Sequence, residues 1–215
     1  MINNDLSIFT NKNENGIKLS DRLNTVLCNS KYFDVLVGYF RITGFYLLKE
    51  RLEDVKEIRI LIGLGTDLTT VKTMDIFELS GANAVKKIQK LVRNEFNNSD
   101  NDNLEMENGV FKFCEWIKSG KLKIRMCYDN VHAKLYIIRK DPEIVPDQFG
   151  NLITGSSNFT YNGLDKNVEF NVELKDQANV RYALSFFEDL WDESIDVTDE
   201  ILDTINHDTW MNKNI

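Results

Sequence analysis

Val131-His132-Ala133-Lys134-Leu135-Tyr136-Ile137-Ile138 alternates apolar and polar residues and then runs wholly into hydrophobic ones. Successive side chains on a strand point to opposite faces. The pattern therefore predicts a strand over 131–139 that projects His132 and Lys134 together and sends Val131, Ala133, Leu135 and Ile137 into a core. An imidazole beside an ammonium is a mixed choice for a core and a fitting one for a phosphate. The ring can attack phosphorus, and the cation can neutralise charge on oxygen. Alone, a His-x-Lys pair on a strand is ordinary, so the reading depends on what lies around it.

Downstream, Gly155-Ser156-Ser157-Asn158 follows an apolar strand at about 152–155. A glycine at a strand end lets the backbone approach a ligand, and Ser156 and Asn158 offer short hydrogen-bonding groups. A further strand is expected over 167–174, with Asn167, Glu169, Asn171 and Glu173 on one face and Val168, Phe170, Val172 and Leu174 on the other. A carboxylate on that polar face, Glu169 with Glu173 in reserve, is placed to accept a hydrogen bond from His132 and fix its tautomer.

Upstream, Leu19, Leu23, Val26 and Leu27 share a helical face within 17–28, and strands are expected at 34–39 and 58–63. Gly44 marks a turn before a helix at 45–53. Val85, Ile88 and Val92 fall on one helix face, and Val110, Phe113, Cys114 and Ile117 on another, with a polar loop at 97–102 between them. A strand at 122–127 precedes the His-bearing one, and Ala183, Phe186, Phe187, Leu190 and Trp191 make an amphipathic helix. The expected fold class is α/β: a mixed β-sheet flanked by helices on both faces, in one domain over 1–215. Gly63-Leu64-Gly65-Thr66-Asp67 lacks the Gly-Lys-Ser/Thr of a phosphate loop and reads as a turn.

The net charge of -8 argues against a polyanion-binding protein, but its distribution does not. Residues 186–208 hold nine acids and no Lys or Arg, whereas 112–140 hold eight bases against two acids. Within the basic stretch Lys121, Lys123, Arg125 and Arg139 are candidates to guide a phosphate backbone. The three cysteines, odd in number and set in apolar patterns, are expected to be buried free thiols. No His/Cys/Asp cluster has metal-ligand spacing, so neither a metal nor another cofactor is expected. The polar N-terminus has no secretory pattern and no apolar run approaches the ~18 residues of a membrane span. A cytoplasmic protein is expected, with no membrane partner.

His132-x-Lys134 followed by Gly155-Ser156-x-Asn158 resembles the HKD motif of the phospholipase D superfamily, and Glu169 matches the downstream acid of its single-motif nuclease branch. The wider wording, including GYFRITGFYLLKERL (38–52) and IRILIGLGTD (58–67), resembles domains at the N-terminus of bacterial superfamily-two helicases and in some restriction endonucleases. The resemblance implies a metal-independent phosphodiesterase, a DNA nuclease above all, in which His132 forms a phosphohistidine. Lys134 and Asn158 would then hold phosphoryl oxygens, Ser156 would assist, and Glu169 would orient His132. Such chemistry needs a second His to protonate the leaving oxygen. His207 has no such motif around it, so a homodimer sharing one composite site is expected. A monomer in which Tyr136 or a water donates the proton is the alternative. The motif's Asp, expected five residues after the Lys, is replaced by Arg139. That replacement favours the rival reading of a catalytically silent DNA-binding module linked to a helicase; a phospholipase-like hydrolase is the third.

Overall fold

Apolar strands alternating with helices build the molecule, of which residues 7–12, 16–63, 81–97, 104–127 and 131–208 are described by a computed structural model. The first half contains β1 (Ile8–Thr10), α1 (Leu19–Val26), β2 (Ser30–Val37), the short helices α2 (Thr43–Tyr46) and α3 (Lys49–Leu52), and β3 (Glu57–Ile62). Then come α4 (Gly81–Asn97), α5 (Leu104–Lys118), β4 (Leu122–Met126), β5 (Leu135–Lys140) and β6 (Gly150–Gly155). A π-helical turn (Asn162–Lys166), β7 (Phe170–Leu174), α6 (Gln177–Asp192), β8 (Ile195–Asp196) and α7 (Thr198–Asp208) complete the chain.

One eight-stranded sheet takes the order β1-β7-β6-β5-β2-β3-β4-β8. β2, β3 and β4 are parallel; β5 runs antiparallel to β2, and β6, β7 and β1 continue antiparallel beyond it. The central strands are covered on both sides, which explains their nearly continuous apolar runs. Phe33, Val35, Ile58, Ile60, Ile124, Tyr136 and Ile153 face the larger core, closed by residues of α1, α4, α5 and α7. Leu36, Leu61, Ile137 and Leu152 face the smaller one, under Val180, Ala183 and Phe187 of α6. The mixed sheet with helices on both faces is therefore as expected. Among the described residues no helix is long and apolar enough to cross a membrane.

This topology collects several chain segments at one end of the sheet. Leu36 near the end of β2 pairs with Leu135 at the start of β5, Leu135 pairs with Thr154 near the end of β6, and Gly155 pairs with Asn171 near the start of β7. In open α/β sheets, ligands bind outside the carboxyl ends of the parallel strands, and this is that end.

Several local expectations change. The strand expected from 131 begins at Leu135, because 131–134 leaves the ladder and crosses the ends of β2 and β3. Val131 O lies 3.2 Å from where a Cβ at Gly38 would stand and 2.7 Å from one at Gly63, so the crossing requires bare backbone at Gly63. The helix expected at 45–53 is split into α2 and α3. Cys28 is exposed, while Cys114 and Cys127 are buried. The polar face of 167–174 is partly turned inward. Asn171 and Glu173 are buried, and Phe170 and Val168 are exposed. Arg22 on α1 pairs with Glu173, and Asn151 donates to it at 2.6 Å, so the buried carboxylate has partners. Residues 64–67 and 98–102, read as turn and loop, lie outside the described residues.

Candidate active site

His132 and Lys134 stand just before β5, at the gathered end of the sheet. The His132 side chain is on an exposed residue, and its imidazole has no hydrogen-bond partner among the described residues. Lys134 Nζ donates to the His132 carbonyl at 3.0 Å, and Thr154 Oγ1 donates to the Lys134 carbonyl at 2.9 Å. These bonds tie the irregular segment to itself and to β6. Among the described residues Lys134 has no carboxylate partner, so its charge is available to an anion.

The turn after β6 is pinned from both sides. Ser156 N donates to the Phe170 carbonyl at 3.2 Å, and Phe170 N donates to Ser156 Oγ at 3.1 Å. The Ser156 hydroxyl itself donates to the Glu169 carboxylate. On the other side Tyr39 N donates to Asn158 Oδ1 at 3.1 Å, which leaves the amide NH2 of Asn158 as its remaining donor. Beneath the turn, Tyr136 is fully buried and its hydroxyl donates to the Ser157 carbonyl at 3.0 Å. Burial, and next the nearby Glu169 carboxylate, hold this phenol well above its ordinary pKa. Its hydroxyl proton is thus committed to a backbone carbonyl and sealed from solvent.

The structure thus brings His132, Lys134, Ser156, Asn158 and Glu169 to one end of the sheet, with Ser156 and Glu169 in direct contact. It does not join Glu169 to His132: the carboxylate goes to Ser156, and Glu169 N donates to Asn11 Oδ1 at 3.0 Å. Glu173 is no reserve, being held by Arg22 and Asn151. The basic candidates are not joined to these residues and have partners in the fold; of them Arg125, level with Leu61, Leu36 and Leu135 across the ladder, comes nearest to this end of the sheet. Lys121 donates to the Glu53 carbonyl at 2.6 Å over the ring of Trp116, and Lys123 pairs with Glu57 at 2.7 Å. Arg125 donates to the Trp191 carbonyl at 2.6 Å. Arg139, near the opposite end of β5, pairs with buried Asp34 at 2.9 Å. Residues 121–125 were read as an interface from charge count alone, which does not see cross-strand partners.

Tyr39, Arg41 and Asn11 were not picked out from sequence. The available signal was the Tyr-x-Arg spacing just after Gly38 at the end of β2, the same end that carries the His-x-Lys pair. Among the described residues, no group of three or more His, Cys, Asp or Glu side chains is placed to hold a metal ion.

A family model described as cardiolipin synthase, PLD-like domain, matches residues 28–191. No curated protein matches the chain in sequence. Among solved structures the chain is similar to phosphatidylserine synthase from Haemophilus influenzae, with 14% identity and a TM-score of 0.53 over 89% of this chain and 39% of that one. It also overlaps Nuc, a phospholipase D family member from Salmonella typhimurium (15% identity, TM-score 0.47, 88% of this chain and 95% of that one). The figures for NucT from Helicobacter pylori are 12%, 0.47, 88% and 97%. The likeness to the synthase is one of fold alone.

Proposed function

Since this chain belongs to the phospholipase D-like domain family, we propose that it is a cytoplasmic, metal-independent phosphodiesterase that cleaves DNA as the nuclease module of a helicase or restriction system. The observation that carries this reading is the exposed imidazole of His132, without a hydrogen-bond partner among the described residues, next to Lys134, which has no carboxylate partner among them.

In this mechanism His132 attacks phosphorus, forms an N–P bond and expels one ester oxygen, which takes a proton from a second histidine. Water then attacks the phosphohistidine, giving its proton to the second histidine as the N–P bond breaks, and releases the phosphate-bearing end with both histidines restored. Lys134 and the Asn158 amide group stabilise the equatorial oxygens as charge develops on them. Ser156 is held by Glu169 and by the Phe170 amide, so its oxygen has a fixed position at the rim of the turn. The second histidine comes from a second copy in a homodimer with one composite site, since this chain has two histidines and His207 lies on α7.

The silent-module reading drew on Arg139 in place of the motif's acid. The Arg139–Asp34 pair supports instead a structural role for that position, which carries a different charge together with a buried counter-charge. The test incubates wild type and His132→Ala with end-labelled DNA, with and without EDTA. Cleavage that survives chelation, an acid-labile phosphoryl adduct in quenched wild type, and a folded but inactive His132→Ala are expected. DNA binding without cleavage in wild type would instead make it the silent module, and activity that requires magnesium would overturn the mechanism.

A further inference from the structure

Two of the hydrogen bonds that pin the Gly155–Asn158 turn come from backbone amides of exposed aromatic residues: Tyr39 on Asn158 and Phe170 on Ser156. Both side chains are open to solvent, Tyr39 at 39% and Phe170 at 56%. A single exposed ring is unremarkable on any protein surface. Here the two ring-bearing residues bracket, through their backbones, the turn that the proposed function sets against the phosphate. The larger core, by contrast, takes in Phe33, Phe40, Phe45, Phe113 and Phe159.

Charge accompanies the rings. Arg41 is exposed, donates from Nε to the Tyr39 hydroxyl at 3.0 Å, and places its guanidinium carbon 5.4 Å from that ring's centroid. Its nearby acid is Glu95, whose two oxygens accept the Ile42 and Thr43 amides at 3.0 and 2.9 Å. Among the described residues the terminal nitrogens of Arg41 and the other two protons of Lys134 have no acceptor, so both cations keep donors for an anion. Glu169 is the acid of this rim, and it is engaged by Ser156.

We propose that Tyr39, Arg41 and Phe170 form a base-stacking rim that makes this site select single-stranded nucleic acid over duplex. The inference rests on the phosphodiesterase reading given above. Rings on both sides of a phosphate-binding turn fit the faces of bases adjoining the scissile phosphate. Only an unpaired strand offers those faces, because a duplex keeps them stacked inside. A guanidinium beside one ring adds cation–π stacking and a contact to the neighbouring phosphate.

The test measures binding in a His132→Ala background, where substrate survives. Three probes of equal length are used: a mixed-sequence single strand, the same strand made abasic at its central positions, and the corresponding duplex. The base-bearing strand should bind tightest. Tyr39→Leu and Phe170→Leu should each weaken it by roughly fivefold to 100-fold, with little change for the abasic strand. Arg41→Gln should flatten the log–log salt dependence for the single strand by about 0.7.

Equal affinity for base-bearing and abasic strands, or tighter binding of the duplex, would overturn the rim and leave the phosphodiesterase reading standing. Failure of all three probes to bind would strike that reading itself, and the rim with it. If either leucine variant converts a dimer to monomers in light scattering, the rings belong to an interface between two copies and the proposal is wrong. Melting curves check that each variant folds, as expected for substitutions of exposed rings.

Discussion

Asp34 is almost fully buried on β2, yet it carries two cations: Arg59 reaches one oxygen at 2.6 Å and Arg139 the other at 2.9 Å. Removing the acid would strand two guanidiniums under α6, with Glu188 3.7 Å from Arg59 as the nearest remaining acid. We expect Asp34→Asn to lower unfolding free energy by about 3–5 kcal/mol, since breaking a buried pair leaves its charge uncompensated. The double variant Asp34→Asn/Arg139→Met should recover part of that loss. Urea unfolding measures both, and a single-variant cost within experimental error would remove Arg139 from the fold's support. This pairing was not legible in the sequence because its partners are 105 residues apart and meet only across the β2–β5 ladder. His132 and Lys134 stand out in the sequence as a His-x-Lys pair, although the strand whose period-two spacing framed them begins only at Leu135.

Elements position those residues through backbone contacts. After β2 the chain runs through Tyr39 to α2, and Glu95 of α4 accepts the amides of Ile42 and Thr43 at the start of that short helix. Phe40 bridges to Phe159, and Arg41 N donates to the Phe159 carbonyl at 3.0 Å, so the Glu95 clamp is one step from the Asn158 turn. Burial is the first influence on Glu95 and raises its pKa; the two amides and Arg41 oppose the shift. Tyr46, its phenol pushed well above the ordinary value by burial, is another titratable neighbour. A carboxylate with a raised folded pKa contributes stability that is full below its unfolded value and is lost as pH rises through the folded one. Wild type should therefore lose melting temperature relative to Glu95→Gln as pH climbs from about 4.5 upward. A difference that stays constant across that range would show an ordinary carboxylate. The long periodic elements were legible before the structure was in hand. β1 and β8, with three and two residues, were not, since they are too short to show a period and are fixed by pairing with β7 and β4.

Under the proposed mechanism each chain has one motif histidine to offer. In-line displacement would ask for a donor opposite the nucleophile, and Tyr136 is buried with its hydroxyl committed to the Ser157 carbonyl. Two-fold pairing is the commonest way to bring identical patches together. Light scattering should show a dimer at micromolar concentration. A purified heterodimer of wild-type and His132→Ala subunits should be nearly inactive. Half of wild-type activity in that heterodimer would mean that each subunit works alone.

A run of acids sits along the β8 margin of the sheet. Asp196 on β8 pairs beside β4, and Asp192, Glu193, Asp199 and Asp203 are exposed around it, whereas Ser156 and Glu169 lie toward β7. Lys134 and Arg41 stand between these margins, at the ends of the central strands β5 and β2. Under the proposed function, a polyanion drifting toward the molecule would be pushed away from the β8 margin and drawn in at the middle, turned before it touches. The charge layout would then work as a compass needle for incoming strands, and added salt would slow their arrival by blurring its direction.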